Sequence, residues 1–306
     1  MNNRRVFLKQ MGLATGGLLL PSFVQKVYAK ENETEHLVIL HNNDWHSRID
    51  PFPLDGGRNA GMGGAAKRAS LIKQIRKENP NVILLDSGDV FQGTPYFNFF
   101  GGEIEYKLMT EMGYDASTLG NHDFDNGLEG LEKALPHAGF DIICSNYDFS
   151  ETALKHAYKP FKIIKKGEIR IGIFGLGIEP EGLIPPKLFG NTIYQNPIEA
   201  ANKWASFLRN EKRCDLVVCL SHLGHDYKNN KISDMILATE TNNINLILGG
   251  HTHTFLNEPV EKKNKQGLPV LINQVGWGGI LLGRLDCYFD KTSGLKGLKT
   301  SIVKVS

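Results

Sequence analysis

Side chains that could bind metal ions recur in five short motifs along this chain. Most of the motifs directly follow an apolar run typical of a β-strand. The motifs are Asp44-Trp45-His46, Gly88-Asp89, Gly120-Asn121-His122-Asp123-Phe124-Asp125, Ser221-His222 and Gly249-Gly250-His251-Thr252-His253. Because open α/β sheets carry their chemistry at strand ends, we expect these side chains to converge. Carboxylate, amide and imidazole groups without cysteine favour a hydrolase centre that holds two divalent cations about 3.5–4 Å apart.

The order of these motifs, with the longer strings around them, resembles the 5′-nucleotidase branch of the calcineurin-like metallophosphoesterases. The strings are ILHNNDWHSR at 39–48, DSGDVFQGT at 86–94 and GNHDFDNG at 120–127. The resemblance covers roughly residues 37 to 286. It implies an α/β fold, a four-layer αββα sandwich with mixed β-sheets, and a dinuclear metal site at the strand ends.

The resemblance also implies a role for each ligand. The first cation would be held by Asp44, His46 and His253, the second by Asn121, His222 and His251, and Asp89 would bridge them. In an extended chain, side chains two residues apart face the same way, so Asp44 and His46 could reach one ion, and His251 and His253 would lie on one side of their loop. For Asp89 the alternative is a turn residue after Gly88. The donor types admit Zn, Mn, Fe or Co.

The resemblance makes His122 a catalytic residue and not a ligand. Asp125 would accept a hydrogen bond from one imidazole nitrogen and fix the orientation of the ring. The other nitrogen could then protonate a leaving alkoxide. Asp123 is the alternative partner of His122. The candidate substrate contacts are Asn121, His122 and Arg48. We expect His225 to have no role in the site.

The elements that must position these residues alternate between strands and helices, which favours the α/β class. The apolar periodicity predicts helices at 65–78, 103–112, 128–135, 197–212 and 232–239. Strands are predicted at 37–40, 82–85, 142–145, 161–166, 169–175, 216–220, 244–248, 270–275, 279–289 and 298–305, the last of them antiparallel. Phe97, Phe99 and Phe100 form an aromatic run that we interpret as core, with base stacking as the alternative.

The length and composition of the chain limit the number of domains and the kinds of partner that we expect. The chain has 306 residues, 41% of them hydrophobic, and a formal net charge of +2. This length suits one large domain or two small ones. The charge and the lack of a long basic run beyond the N-terminus argue against nucleic acid as a partner. The four cysteines, at 144, 214, 219 and 287, lie in apolar runs and are expected to be free thiols.

The first residues are expected to direct the protein out of the cytoplasm. The string RRVFLK at 4–9 resembles a twin-arginine export signal, and the apolar stretch at 11–24 is short for a membrane span. We therefore predict a signal peptide over 1–29, a metallophosphatase domain over 30–306, and a periplasmic or secreted protein. The alternative is an uncleaved membrane anchor. No other membrane interaction is expected.

The expected function is hydrolysis of phosphate monoesters, with nucleoside 5′-monophosphates as the leading substrates. Cyclic nucleotides and other phosphodiesters are the alternative, and a catalytically silent binding module is the rival class. Because the chain ends at Ser306, we expect no C-terminal nucleotide-binding domain within it. A separate chain could then supply the nucleoside contacts.

Overall fold

The computed structural model describes residues 34–290 and 294–306. The predicted twin-arginine segment at 1–29 therefore lies outside the described residues. Within the described part of the chain, no helix is both long enough and apolar enough to cross a membrane.

The first of two large sheets carries the N-terminal strands. Numbered along the chain, its strands are β1 (Thr34–Asn42), β2 (Val82–Asp86), β3 (Ala116–Ser117), β4 (Asp141–Ile142), β13 (Leu281–Asp290) and β14 (Gly294–Lys304). Their order across the sheet is β14-β13-β1-β2-β3-β4. The strands β1 to β4 are parallel, and β13 and β14 are antiparallel additions at one side. The sheet is therefore mixed, as predicted.

The second large sheet is built from the C-terminal half. Its strands are β6 (Phe161–Lys166), β7 (Ile169–Leu176), β9 (Leu216–Ser221), β10 (Leu246–Gly249), β11 (Val260–Lys263) and β12 (Pro269–Asn273). They lie in the order β11-β12-β10-β9-β7-β6, and only the edge strands β6 and β11 are antiparallel to their neighbours. Two short strands, β5 (Tyr147–Asp148) and β8 (Ile193–Tyr194), form a separate ribbon.

Helices cover the outer faces of both sheets. They are α1 (Ala65–Glu78), α2 (Pro95–Phe100), α3 (Glu103–Met112), α4 (Gly127–Ala134), α5 (Pro186–Phe189), α6 (Pro197–Ser206) and α7 (Asp234–Glu240). Local chemistry sets their ends. The helix α3 ends at Gly113, whose left-handed φ of 73° suits glycine. The helix α6 begins after Asn196, whose side chain accepts hydrogen bonds from two backbone N–H groups.

Alternating side chains on the strands create three apolar cores. On β1, Leu37 and Ile39 face the second sheet, whereas Val38 and Leu40 face the helices α1 and α3. The second sheet alternates in the same way and packs its outer face on α6 and α7. Three cores separate four layers, so the predicted αββα sandwich is confirmed. The four cysteines are free and buried in these cores.

Several predicted boundaries were wrong. The strand predicted at 142–145 is only Asp141–Ile142, and the helix predicted at 128–135 is α4 followed by a 3₁₀ turn over Leu135–His137. The edge strand β11 was missed because its residues, Val-Glu-Lys-Lys, are mostly charged, as is common at exposed sheet edges. The helix α2 was missed because six residues are too few to show a helical period.

Candidate metal centre

The seven predicted ligands meet at one edge of the sandwich, where the parallel strands of both sheets end. The first sheet supplies Asp44 and His46 after β1, Asp89 after β2 and Asn121 after β3, and the second supplies His222 after β9 and His251 and His253 after β10. The carboxylates and the amide thus come from one sheet, and all but one of the imidazoles come from the other.

One group of three ligand atoms forms the first candidate cation site. It contains Asp44, His46 and His253, whose ligand atoms all lie within 4.8 Å of one another. The Nε2 atoms of His46 and His253 are 3.0 Å apart. His253 Nε2 lies 3.2 Å from Asp44 Oδ1, and His46 Nε2 lies 3.9 Å from the same oxygen. Three donors that converge in this way could hold one cation.

A second group contains Asp89, His222 and His251, whose ligand atoms also lie within 4.8 Å of one another. Asn121 joins it, because its Oδ1 lies 2.7 Å from His251 Nδ1. The Oδ2 atom of Asp89 lies 3.1 Å from His222 Nε2 and 3.9 Å from His46 Nε2. Asp89 therefore stands between the two groups, in the position that a bridging carboxylate requires.

The charges at this edge favour a cation. Burial lowers the pKa of His222, but the carboxylates of Asp89 and Asp44 raise it to about 10. Burial raises the pKa of Asp89, and the attraction to His222 holds it below its usual value. His222 Nδ1 lies 2.6 Å from the Ser87 carbonyl, to which it can donate, and its buried Nε2 makes no hydrogen bond of good geometry. A metal ion would replace the proton that these carboxylates draw to Nε2, so the donor set fits the implied cations.

The backbone at the ligands is strained. Five of the seven ligands have a left-handed φ: Asp44 at 50°, His46 at 52°, Asp89 at 54°, His251 at 71° and His253 at 52°. Such conformations cost a non-glycine residue about 1–3 kcal/mol each and persist where the surroundings fix them. The expectation that the pairs at i and i+2 converge because the chain is extended was therefore wrong. They converge through tight loops that follow the strands.

Asp123 holds two of these loops together. Its carboxylate accepts hydrogen bonds from the backbone N–H groups of Asp89 at 3.0 Å, Val90 at 3.0 Å, Phe91 at 3.1 Å and Gly120 at 2.7 Å. Burial, aided by the charge of Asp89, raises its pKa to about 7. The sequence offered Asp123 as a partner for His122, but the structure uses its carboxylate to anchor the Asp89 loop.

The partner of His122 is Asp125. His122 Nδ1 lies 3.0 Å from Asp125 Oδ2, and this hydrogen bond raises the pKa of the imidazole. The His122 ring lies 5.3 Å from the ring of His46, and its backbone N–H donates to Asp89 Oδ1 at 2.8 Å. Its side chain remains 37% exposed, so the pair faces solvent beside the candidate cation sites.

Other predicted residues lie apart from this group. The guanidinium of Arg48 stacks on Phe52 at 4.4 Å, and the structure does not place it against a ligand. The backbone N–H of His225 donates to Thr252 Oγ1, and its imidazole joins neither ligand group in the described chain. Phe97 is buried, but Phe99 and Phe100 are 81% and 50% exposed, so the core interpretation was wrong for these two.

Sequence reasoning missed the support of Asp44. Asn43 donates to Asp44 Oδ2 at 2.6 Å and to the Gly276 carbonyl at 2.6 Å. It also accepts from the Val275 N–H at 3.0 Å. The Asn42-Asn43-Asp44 string is the signal that could have pointed to it, since a buried amide beside a carboxylate needs partners on both sides.

The chain is similar to known phosphoesterases and nucleotidases. The family model for calcineurin-like phosphoesterases matches residues 37–255. A snake venom 5′-nucleotidase from Gloydius brevicauda is 33% identical over 83% of this chain and 45% of its own, and 5′-nucleotidase from Bos taurus is 34% identical over 80% and 41%. The crystal structure of a 5′-nucleotidase precursor from Thermus thermophilus superposes with a TM-score of 0.79, at 31% identity, over 88% of this chain and 54% of that one.

The chain spans about half the length of the curated relatives it matches. The segment that matches the family model contains both candidate ligand groups and the His122–Asp125 pair. By this match and by its fold, the chain belongs to the calcineurin-like phosphoesterases, a family of metal-dependent phosphoric ester hydrolases.

Proposed function

We propose that this protein is an exported phosphatase that uses two divalent cations to hydrolyse phosphate monoesters, above all nucleoside 5′-monophosphates. The observation that carries the proposal is the position of Asp89 between two ligand groups, with the His122–Asp125 pair directly beside them. Two-metal hydrolases clamp a phosphoryl group in this way and leave one side open for the departing alcohol.

One cation would be held by Asp44, His46 and His253, and the other by Asn121, His222 and His251. Both cations would also be bound by Asp89. The bound ions would supply an activated water and neutralise charge on the phosphoryl oxygens. Asn121 contributes a neutral oxygen, so the site keeps net positive charge for an anionic substrate. The amide nitrogen of Asn121 is a candidate donor to a phosphoryl oxygen.

His122 would act on the leaving group. As water adds to phosphorus, the phosphorus–oxygen bond to the alcohol breaks and the departing oxygen needs a proton. The Nδ1 side of His122 is held by Asp125 at 3.0 Å, which leaves Nε2 to donate that proton. The solvent exposure of the pair gives a leaving group room beside it. Arg48 stays a candidate substrate contact, provided that its guanidinium leaves Phe52.

The choice of nucleotides is supported by the relatives named above, which are described as 5′-nucleotidases. A second candidate is hydrolysis of nucleotide phosphodiesters, including cyclic nucleotides. It stays open because another relative, the trifunctional nucleotide phosphoesterase protein YfkN of Bacillus subtilis, is named for nucleotide phosphoesters in general; it is 29% identical over 87% of this chain and 19% of its own length.

A substrate screen on metal-reconstituted protein tests these proposals. The purified chain is stripped with a chelator and reloaded separately with Zn, Mn, Fe or Co. It is then assayed on nucleoside 5′-monophosphates, 3′,5′-cyclic nucleotides and an aryl phosphate, with His122→Ala as the control. Release of phosphate from monophosphates supports the first proposal, and cleavage of cyclic nucleotides alone supports the second. Two bound ions without turnover of any ester would favour a silent binding module.

The same assay measures base preference. The described groups around His122 are carboxylates and the imidazole of His46, and of these Asp89 and His46 would hold the cations that bind phosphate. We therefore propose weak discrimination among bases unless a separate chain supplies the nucleoside contacts. A preference above roughly 10³-fold in kcat/KM for one nucleotide, about 4 kcal/mol, would refute this expectation.

Export is tested on the intact chain. Replacing Arg4 and Arg5 with lysine should hold the protein in the cytoplasm if the twin-arginine route carries it. Mass spectrometry of the exported protein should find an N-terminus at Lys30. Export of the double-lysine variant at the wild-type level would contradict the proposed route, and an uncut N-terminus would favour a membrane anchor.

A further inference from the structure

Of the four imidazoles in the two ligand groups, those of His46 and His222 are buried and those of His251 and His253 are half-buried. The side chain of His253 is 39% exposed, whereas that of His46 is 8% exposed and that of His222 is fully buried. The backbone of His253 has a strained φ of 52°. The ring orientation of His222 is fixed by a hydrogen bond from Nδ1 to the Ser87 carbonyl. The distal nitrogen of His253 has no comparable bond within the described structure.

The His253 ring instead stacks on an indole. The rings of His253 and Trp277 are 5.7 Å apart, with only 14° between their planes. The rings of Phe52 and Trp277 meet edge to face, with their centroids 5.4 Å apart and 89° between their planes, and the guanidinium of Arg48 lies over the Phe52 ring at 4.4 Å. These contacts hold the indole in one orientation.

Trp277 lies on the segment that crosses from the second sheet to the first. This crossover segment, residues 274–280, joins β12 to β13. Hydrogen bonds join it to both loops of the first candidate cation site. The N–H of Gly278 donates to the Asp44 carbonyl at 2.7 Å, and the N–H of Gly276 donates to the Thr254 carbonyl at 2.9 Å. Asn43 adds a hydrogen bond to the Gly276 carbonyl. The position of Trp277 is therefore tied to the position of both ligand loops.

We propose that Trp277 is a positioning residue for the first cation: its flat face sets the orientation of His253, a task that a hydrogen bond performs for His222. The inference rests on the proposed metal binding, but not on any substrate or reaction. Groups that orient metal-binding imidazoles typically contribute about 10- to 100-fold in metal affinity. The second cation, held by Asp89, Asn121, His222 and His251, should not depend on Trp277.

The test compares Trp277→Leu with Trp277→Phe. Leucine keeps an apolar side chain but has no flat face, whereas phenylalanine keeps an aromatic ring that can stack on His253. Each apo protein is titrated with Zn²⁺ or Co²⁺ against a competing chelator, without substrate, and fitted to two sites. We expect Trp277→Leu to weaken one ion by about 10- to 100-fold and leave the other unchanged. Trp277→Phe should restore most of the affinity.

Trp204 provides a matched control, because it packs on Phe161 and Phe207 away from the ligands. Trp204→Leu should bind both ions as the wild type does. Indole fluorescence gives a second readout: Co²⁺ should quench Trp277, so Trp277→Phe should lose part of the quenching and Trp204→Phe should not. If Trp277→Leu does not fold by circular dichroism, Trp277→Met replaces it in the titration, because methionine is also apolar and has no flat face.

Three results would overturn the inference. They are wild-type affinity for both ions in folded Trp277→Leu, equal weakening of both ions, and a Trp277→Phe variant as weak as Trp277→Leu. Full quenching in Trp277→Phe would have the same meaning. A protein that binds two ions normally but hydrolyses no phosphate ester would refute the proposed function and leave this inference standing.

Discussion

Replacing Asp123 with asparagine should destabilise the protein through one identifiable set of bonds. Each oxygen of this buried carboxylate accepts two backbone N–H groups: Oδ1 from Val90 and Phe91, Oδ2 from Asp89 and Gly120. Asparagine keeps the shape but has only one acceptor, so its amide NH₂ would face two N–H donors. A buried donor left unpaired costs about 1–3 kcal/mol, which gives about 2–6 kcal/mol for the substitution.

The assay is equilibrium unfolding in urea on chelator-treated protein, at a pH above the Asp123 pKa of about 7 so that the wild-type carboxylate is ionised. Without metal, differences in ion binding cannot add to the unfolding free energy. A lower midpoint at an unchanged slope would report lost stability of the folded state. Because single domains are stable by only about 5–15 kcal/mol, the predicted loss is easily measured. Reloaded Asp123→Asn should also bind metal weakly, since its Asp89 loop is no longer held.

Asp125→Asn is the matched control. It changes the same group two residues away, but Asp125 is partly exposed and bonds the His122 side chain instead of the backbone. Its unfolding free energy should change by about 1 kcal/mol or less, its two ions should remain, and its turnover should fall. The reasoning is refuted if Asp123→Asn unfolds within about 1 kcal/mol of wild type, or if Asp125→Asn is the less stable of the two.

Five further substitutions separate the residues that serve catalysis, metal binding and packing. His122→Ala should cut turnover by about 10²–10⁴-fold while both ions remain by elemental analysis, and a lost ion would show that His122 is a ligand. Asp89→Ala should lose both ions together with activity, because a bridge serves both, whereas His225→Ala should keep both. Phe97→Ala should lower the unfolding free energy by about 3–5 kcal/mol and Phe99→Ala by at most about 0.5 kcal/mol, since only Phe97 is buried. Equal losses in urea titrations would contradict the different burial of these two rings.

The convergence of the ligands was predictable from the sequence for a simple reason. Parallel strands present their carboxyl ends at one edge, so polar residues that follow apolar runs must meet there. Asp44 and Asp89 are far apart along the chain, yet this rule alone places them together. His222 follows a strand of the other sheet and joins them because the two sheets pack with these edges side by side. The αββα layers followed from the alternation of strands and helices together with the family resemblance.

The features of the site that could not be predicted from the sequence depend on local geometry. Asp125 and not Asp123 meets His122 because residues 122–124 form a 3₁₀ turn, in which side chains three residues apart line up. The left-handed φ angles of the ligand loops leave only a weak mark on residue type, since aspartate and histidine are enriched in this region but are common in other conformations. Trp277 lies 24 positions after His253, and only the crossover between the two sheets brings the rings together.

The division of the ligands between the two sheets affects how fast the protein should unfold. Asp44 and Asp89 belong to one sheet and His222 and His253 to the other, so each bound cation would be a cross-link between them. The ligands meet only once the sheets have docked, so if docking follows the folding transition state, metal should leave the folding rate almost unchanged. Interactions absent from the transition state act instead on the unfolding rate. The loaded protein should therefore persist longer against heat and proteases, with a lifetime set by how fast a cation leaves.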